Sequence, residues 1–205
     1  MSGERGPAPV EIGSGRIEAF SDAVMAVIMT IMAFQLRVPA GPTLADLRKE
    51  LPGLLVYILS FASIGIYWNN HHHLLRATTR ISGAVMWANL FLLFWLSLIP
   101  VCTEWLRDAY HDSLPAAAYG GVALAAGSAY FVLVRAIIRA NGRDSAVARA
   151  VAEDVKGYAS IVIYAAGVGS AFVSPWISYA LYAAVSVMWL IPDRRFTRPD
   201  VIPED

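Results

Sequence analysis

The chain has 205 residues, of which 57% are hydrophobic and 16% charged, with 16 basic side chains, 16 acidic side chains and one cysteine. Soluble domains are usually closer to half apolar and a quarter charged, so this composition indicates a membrane protein. The balanced charge gives no reason to expect nucleic acid as a partner. The single cysteine, Cys102, excludes an internal disulfide and a multi-cysteine metal site.

Six apolar runs are long enough, or nearly so, to cross a membrane. A spanning helix needs about 20 apolar residues, because backbone groups in lipid must pair within the segment. The first run is too long for the apolar part of a signal peptide, so we expect it to remain as a membrane helix. The last two runs are the shortest and meet at a tight turn around Pro175. The predicted spans are residues 17–36, 52–72, 84–103, 116–138, 157–174 and 176–191.

The distribution of basic residues predicts that both termini are cytoplasmic. With that orientation 12 Lys and Arg residues fall in inside segments and four in outside segments, as the positive-inside rule requires. We therefore expect a multi-pass protein of the cell (plasma) membrane. Its predicted parts are a flexible cytoplasmic N-terminus at 1–15, a six-helix transmembrane domain at 16–192 and a cytoplasmic tail at 193–205.

The first predicted helix carries an ionisable side chain inside an apolar run. Asp22 lies about 8 Å beyond the start of the run, where a charge is costly unless it is paired or hydrated. Val27, Thr30, Ile31 and Phe34 follow i, i+3, i+4, i+7 spacing and share one face. This face, here called the α1 stripe, points about 140° away from Asp22 at about 100° per residue. Ordinary helix packing gives the same spacing, so the stripe alone assigns no function.

A polar cluster ends the second predicted helix, at Tyr67-Trp68-Asn69-Asn70-His71-His72-His73. Adjacent histidines diverge by about 100° on a helix, whereas helical chelation uses i, i+4 pairs, so we predict no metal site. We expect instead that these side chains hydrogen-bond to polar groups at the start of the first helix and so satisfy Asp22. Asn89 on the third helix either joins this network or makes a lone interhelical hydrogen bond.

Three segments resemble the transmembrane protein 175 potassium channel family. Arg16-x-x-x-Phe20-Ser21-Asp22 resembles its first-helix signature, YWNNHHHLL at 67–75 its second-helix end, and WANLFLLFWLSLIP at 87–100 its third helix. For a bacterial single-repeat member, the resemblance implies a homotetramer whose central pore is lined by the first helix. It also implies polar groups that fix helix packing outside the pore, here Arg16, Phe20, Ser21, Asp22, Trp68, Asn69, His71, His72 and Asn89.

The resemblance also implies a role for each position of the α1 stripe. Val27 takes the place of the constriction, Thr30 that of the threonine linked with potassium selectivity, and Ile31 and Phe34 those of further apolar layers. Val27 is smaller, and Phe34 bulkier, than the residues usual at these positions in the family. The narrowest layer could therefore lie elsewhere on the helix.

The expected fold is an all-α integral membrane protein with six transmembrane helices, and the expected function is a potassium-selective or potassium-preferring channel with a hydrophobic constriction. No cofactor is expected; the partners are potassium ions near Thr30, the lipid bilayer and further copies of the chain. A proton-conducting channel that uses Asp22 and the histidines remains an alternative, as does a cation transporter. A membrane enzyme using Asp22 with His71 or His72 is disfavoured, because no nucleophile, base and orienting group occur together.

Overall fold

The computed structural model describes residues 14–151 and 155–190, and within these ranges the regular elements are α-helices. The predicted tail at 193–205 and most of the predicted N-terminal segment at 1–15 lie outside the described residues. The helices are α1 (Ser14–Phe34), α2 (Leu44–Arg76), α3 (Gly83–Ser97), α4 (Ile99–Asp108), α5 (Ser113–Asn141), α6 (Ala146–Val151), α7 (Val155–Ser170) and α8 (Pro175–Leu190).

The second helix begins eight residues before the predicted span. The hydroxyl of Thr43 caps it by accepting a hydrogen bond from the Asp46 backbone N–H at 3.2 Å, as a threonine at this position commonly does. Pro52, expected in the first turn, lies inside the helix. The prediction counted apolar residues only, whereas the polar segment 44–51 contains good helix formers and continues the same hydrogen-bonded helix.

The third predicted span consists of two consecutive helices. Leu98 separates α3 from α4, and Pro100 follows at the start of α4. Proline has no backbone N–H to donate and disturbs the preceding turn, which explains the break at this point. Together the two helices form one apolar segment from Gly83 to Asp108.

The bundle is closely packed around α5. Buried small residues such as Ala116, Gly120 and Ala126 lie on its inner face, and small residues allow membrane helices to approach closely. The ring of Tyr182 on α8 fills the space beside Gly120 and Gly167, where an added Cβ would lie only 1.9 and 2.4 Å from tyrosine atoms. The Tyr182 hydroxyl donates to the Ala116 carbonyl at 3.1 Å.

Four segments of the described chain are long and apolar enough to cross a membrane, at Gly15–Phe34, Leu44–Arg76, Gly83–Asp108 and Ser113–Asn141. They correspond to the first four predicted spans. The fifth and sixth predictions coincide with α7 and α8, which have 16 residues each. At about 1.5 Å per residue each is about 24 Å long, slightly less than the hydrocarbon core of a bilayer.

Candidate functional site

The two long faces of α1 have different surroundings. Ser21, Met25, Ile28 and Met32 are at most 3% exposed, and their spacing places them on one side of the helix. This side packs against α2, α3 and α4. The opposite side has no such cover from the described chain, so α1 lies at the edge of the bundle.

The α1 stripe lies on this uncovered side. Val27 is 55% exposed, Ile31 45% and Phe34 89%, and Thr30 is also exposed. The Thr30 hydroxyl donates to the Val27 carbonyl at 2.8 Å. Because its proton is used within the helix, the Thr30 hydroxyl can act toward other groups only as an acceptor, through the lone pairs of its oxygen.

Three buried polar side chains join α1, α2 and α3. Asn89 donates its amide to the Ser21 hydroxyl at 2.9 Å, and its carbonyl oxygen lies 2.7 Å from His71 Nε2. All three residues are at most 2% exposed. Since the Asn89 oxygen must accept, the hydrogen-bond network assigns the proton to His71 Nε2. Asn89 therefore takes part in a network that spans three helices and is not limited to one interhelical bond.

Asp22 lies beside this network without joining its hydrogen bonds. Its Oδ1 atom is fully enclosed and has no hydrogen-bond partner among the described residues, and the same is true of His71 Nδ1. The Asp22 charge interacts electrostatically with the His71 ring. The predicted hydrogen bonds from histidine and asparagine side chains to Asp22 are not made to this oxygen. Asn89 bonds instead to Ser21 and His71.

A second contact joins α1 to the end of α2. The Nδ1 atom of His72 lies 2.6 Å from Glu18 Oε1, and the Trp68 ring stacks on His72 with 6.0 Å between ring centroids. Glu18 was absent from the predicted site residues. It precedes Asp22 by four positions, and this i, i+4 spacing on one helical face could have indicated it.

The remaining predicted residues take no part in these contacts. Arg16, Phe20 and Asn69 are exposed, and Phe20 falls on the same side of α1 as Val27, seven positions later. Among the residues that the structure describes, no group of three or more His, Cys, Asp or Glu side chains is arranged to hold a metal ion.

The other end of α1 is fixed by charged residues of α4 that the sequence did not single out. Arg107 donates to the Gln35 carbonyl, and Gln35 donates its amide to Glu104 at 3.0 Å. Arg37 pairs with Asp108 at 3.1 Å. The signal for these pairs was weak, because the partners are about 70 residues apart in the chain and share no helical periodicity.

Comparisons with known proteins find similar chains among potassium and proton channels. Residues 16–100 match the family described as endosomal/lysosomal potassium channel TMEM175. A potassium channel of Chryseobacterium sp. (strain P1-3) is 45% identical over 184 residues, which cover 90% of this chain and 96% of that protein. The human endosomal/lysosomal proton channel TMEM175 is 33% identical over 109 residues, covering 40% of this chain and 22% of that protein.

A solved structure is also similar to this chain over most of its length. It is the crystal structure of a lysosomal potassium-selective channel TMEM175 homolog from Chamaesiphon minutus, which is 27% identical and superposes with a TM-score of 0.73. The match covers 87% of this chain and 96% of that one.

Proposed function

Since this chain is a multi-pass membrane protein of the TMEM175 family, we propose that it is a potassium channel whose pore is lined by α1. Four copies assemble around a central axis, and each copy turns its α1 stripe toward that axis. Each copy crosses the cell membrane six times, with α7 and α8 as the last two spans, and both termini are cytoplasmic. The chain acts as an ion channel and not as an enzyme.

The observation that carries the proposal is the exposure of the α1 stripe. Val27 and Phe34 are more than half exposed although they belong to a helix whose opposite side is almost completely buried. A lipid-facing helix would also expose apolar side chains, so the exposure supports the proposal together with the likeness to the potassium-selective channel homolog from Chamaesiphon minutus. Thr30 adds a hydroxyl to this exposed stripe, and with its proton donated to the Val27 carbonyl its oxygen can contact a cation.

Conduction depends on the apolar layers and on the Thr30 hydroxyls. Rings formed by four copies of Val27 and Ile31 are narrow and apolar, and such constrictions close a pore by excluding water. A small rotation or outward tilt of α1 would widen both rings. Potassium passing Thr30 exchanges part of its hydration shell for hydroxyl oxygens. The polar contacts of Ser21, His71 and Asn89 hold the opposite side of the helix, so they position the rings without entering the pore.

Potassium flux into liposomes tests the gate. Val27→Asn places a hydrogen-bonding amide in the proposed ring, so water remains in the constriction and the closed pore leaks. If the barrier falls by about 1.4 kcal/mol, the flux rises about tenfold, and sodium enters more readily. Val162→Asn is the matched control, since Val162 is 66% exposed on α7 and lies outside the proposed pore. Unchanged flux in the Val27 variant, or an equal change in both variants, would refute this gate.

A proton-conducting channel is the second candidate. The human relative named as a proton channel and the histidines next to α1, His71 and His72, favour it. Reversal potentials measured under opposed proton and potassium gradients separate the two ions, because the current reverses near the equilibrium potential of the ion that carries it. Flux that saturates with a fixed proton-to-potassium ratio would instead indicate a cation transporter.

A further inference from the structure

An apolar groove runs along the outside of the bundle between α2, α4 and α8. Its walls include Pro52 and Leu55 of α2, Leu106 of α4 and Val187 of α8. The groove has a volume of about 420 Å³, within the range of about 300–1,000 Å³ that is usual for ligand sites. Its α2 lining extends from Pro52 to Ala62, a rise of about 15 Å. The groove therefore follows the direction in which α2 crosses the membrane.

The groove is open to its surroundings although its walls are apolar. Leu55 is 65% exposed, Ile58 52% and Val187 58%. The α8 helix packs against α2, α5 and α7, and α1 contributes no residue to the lining of the groove. In the proposed assembly around α1, this part of the bundle faces the bilayer. We therefore expect a molecule of the bilayer, and not a second copy of the chain, to cover the groove.

Aromatic rings gather at the end of the groove where α2 begins. The centroid of the Trp176 ring lies 6.2 Å from that of Tyr110 and 5.7 Å from that of Tyr179, and all three side chains line the groove. Arg107, near the end of α4, lies against Gly53 of α2, which places this end of the groove beside the first half of α2. Trp and Tyr are enriched where the hydrocarbon core meets the head groups. These rings therefore mark the level of the head groups.

A basic side chain continues the groove face beyond this end. Arg48 precedes Pro52 by four residues and Leu55 by seven, so the three share one face of α2. Arg48 is exposed and makes no hydrogen bond or ion pair with any residue that the structure describes. Its guanidinium is available to a phosphate, which it can bind through two parallel hydrogen bonds.

An acidic side chain lies near the same end. The Asp112 charge interacts electrostatically with Tyr179, and Asp112 is exposed. A carboxylate repels a head group that carries only negative charge and attracts an ammonium group. Arg48 and Asp112 together therefore suit a head group that carries both a phosphate and an ammonium.

We propose that this groove is a binding site for a zwitterionic glycerophospholipid of the phosphatidylethanolamine class. One acyl chain lies in the groove, and the ester region lies among the aromatic rings. The phosphate binds Arg48, the ammonium lies toward Asp112, and the second acyl chain remains in the bilayer. The choice of a lipid over a second copy rests on the proposed assembly around α1, whereas binding itself requires no ion conduction.

Native mass spectrometry of the purified full-length protein, titrated with palmitoyl-oleoyl-phosphatidylethanolamine, tests the head-group contact. Arg48→Gln removes the positive charge and is expected to weaken binding about fivefold, the usual contribution of one basic residue at a lipid head group. Lys49→Gln is the matched control. It removes the same charge one residue later, at a side chain that points about 100° away on the helix and pairs with Asp46 at 3.2 Å, so binding should stay unchanged.

Two neighbouring alanines of α8 test the groove itself. Ala183 lines the groove, whereas Ala184 is exposed and is not part of the lining. Ala183→Leu takes space from the acyl chain and is expected to weaken binding at least tenfold. Ala184→Leu adds the same side chain outside the groove and should leave binding unchanged. Thermal unfolding of both variants verifies that they fold.

Two further ligands separate the head group from the acyl chain. Palmitoyl-oleoyl-glycerol keeps both chains without the phosphate, so it is expected to bind about fivefold more weakly and to be insensitive to Arg48→Gln. Glycerophosphoethanolamine keeps the head group without the chains. It is expected to show no measurable binding, because burial of the chain provides most of the affinity.

Three results would overturn the proposal: no saturable binding of the phospholipid, equal losses for Arg48→Gln and Lys49→Gln, or equal losses for the two alanine variants. Absence of lipid binding together with a changed number of chains in the Ala183→Leu assembly would also overturn it, because the groove would then be a contact between copies. These measurements use no ion gradient, so their failure is distinct from failure of the flux experiment.

Discussion

The two sides of α1 are both largely apolar, yet they satisfy their polar groups in different ways. On the buried side Ser21 depends on Asn89, a residue 68 positions away. On the exposed side Thr30 bonds to the carbonyl of Val27 within its own helix. A side chain that depends on another helix fixes the packing of α1. A side chain that bonds within its own turn leaves its face free to meet lipid, water, an ion or another copy of the chain.

The difference between the two sides is tested most strongly at Met25, which is 1% exposed. Met25→Ala leaves a space that the surrounding helices cannot fill completely, and we expect a loss of about 2–3 kcal/mol of unfolding free energy. Ile31→Ala, at a side chain that is 45% exposed, should cost less than about 1 kcal/mol. Thermal and denaturant unfolding in detergent would measure both. Equal losses would mean that the two sides of α1 are equally packed.

The network at Asn89 should have the next largest effect. Asn89→Leu removes the partners of Ser21 and His71 together and leaves both groups buried, which should cost about 1–2 kcal/mol. Asn69→Leu is the matched control, because Asn69 is exposed on α2. Unfolding of the two variants under the same conditions would test this expectation. Similar stabilities would show that the hydrogen bonds of Asn89 do not hold α1 in place.

The contact between Glu18 and His72 at the end of α2 should have a smaller effect. Glu18 and His72 are 20% and 25% exposed at their side chains. Glu18→Gln keeps an oxygen that can accept a hydrogen bond from His72, so the change should cost less than about 1 kcal/mol. The comparison is with Asn89→Leu, measured in the same unfolding assay. A larger loss for Glu18→Gln would place the main attachment of α1 at His72 and not at Asn89.

The charged contacts at the far end of α1 should have the smallest effect. Arg37 and Asp108 are 59% and 43% exposed at their side chains, and an exposed pair of this kind usually contributes at most about 1 kcal/mol. Arg37→Gln should leave the unfolding midpoint nearly unchanged, with any loss disappearing at high salt. A large, salt-independent loss would indicate that this end of α1 is held as firmly as the buried side.

The sequence was sufficient for the properties that arise within one segment. The lengths of the apolar runs predicted six spans, of which the first four correspond to membrane-capable segments of the described chain. Helical periodicity separated the stripe of Val27, Thr30, Ile31 and Phe34 from Asp22. Both follow from local geometry, since 3.6 residues per turn fixes which side chains share a face. The start of α2 at Leu44 was missed because apolar length marks the membrane span and not the end of the hydrogen-bonded helix.

The tertiary structure alone decided which polar side chains meet. It pairs His72 with Glu18, places Asn69 at the surface, and joins Arg107 to the Gln35 carbonyl. Such pairs depend on how far neighbouring helices slide and rotate against each other, and differences of a few ångströms decide whether a hydrogen bond forms. The sequence encodes this arrangement only through the packing of the whole bundle, so inspection of any single helix cannot reveal it.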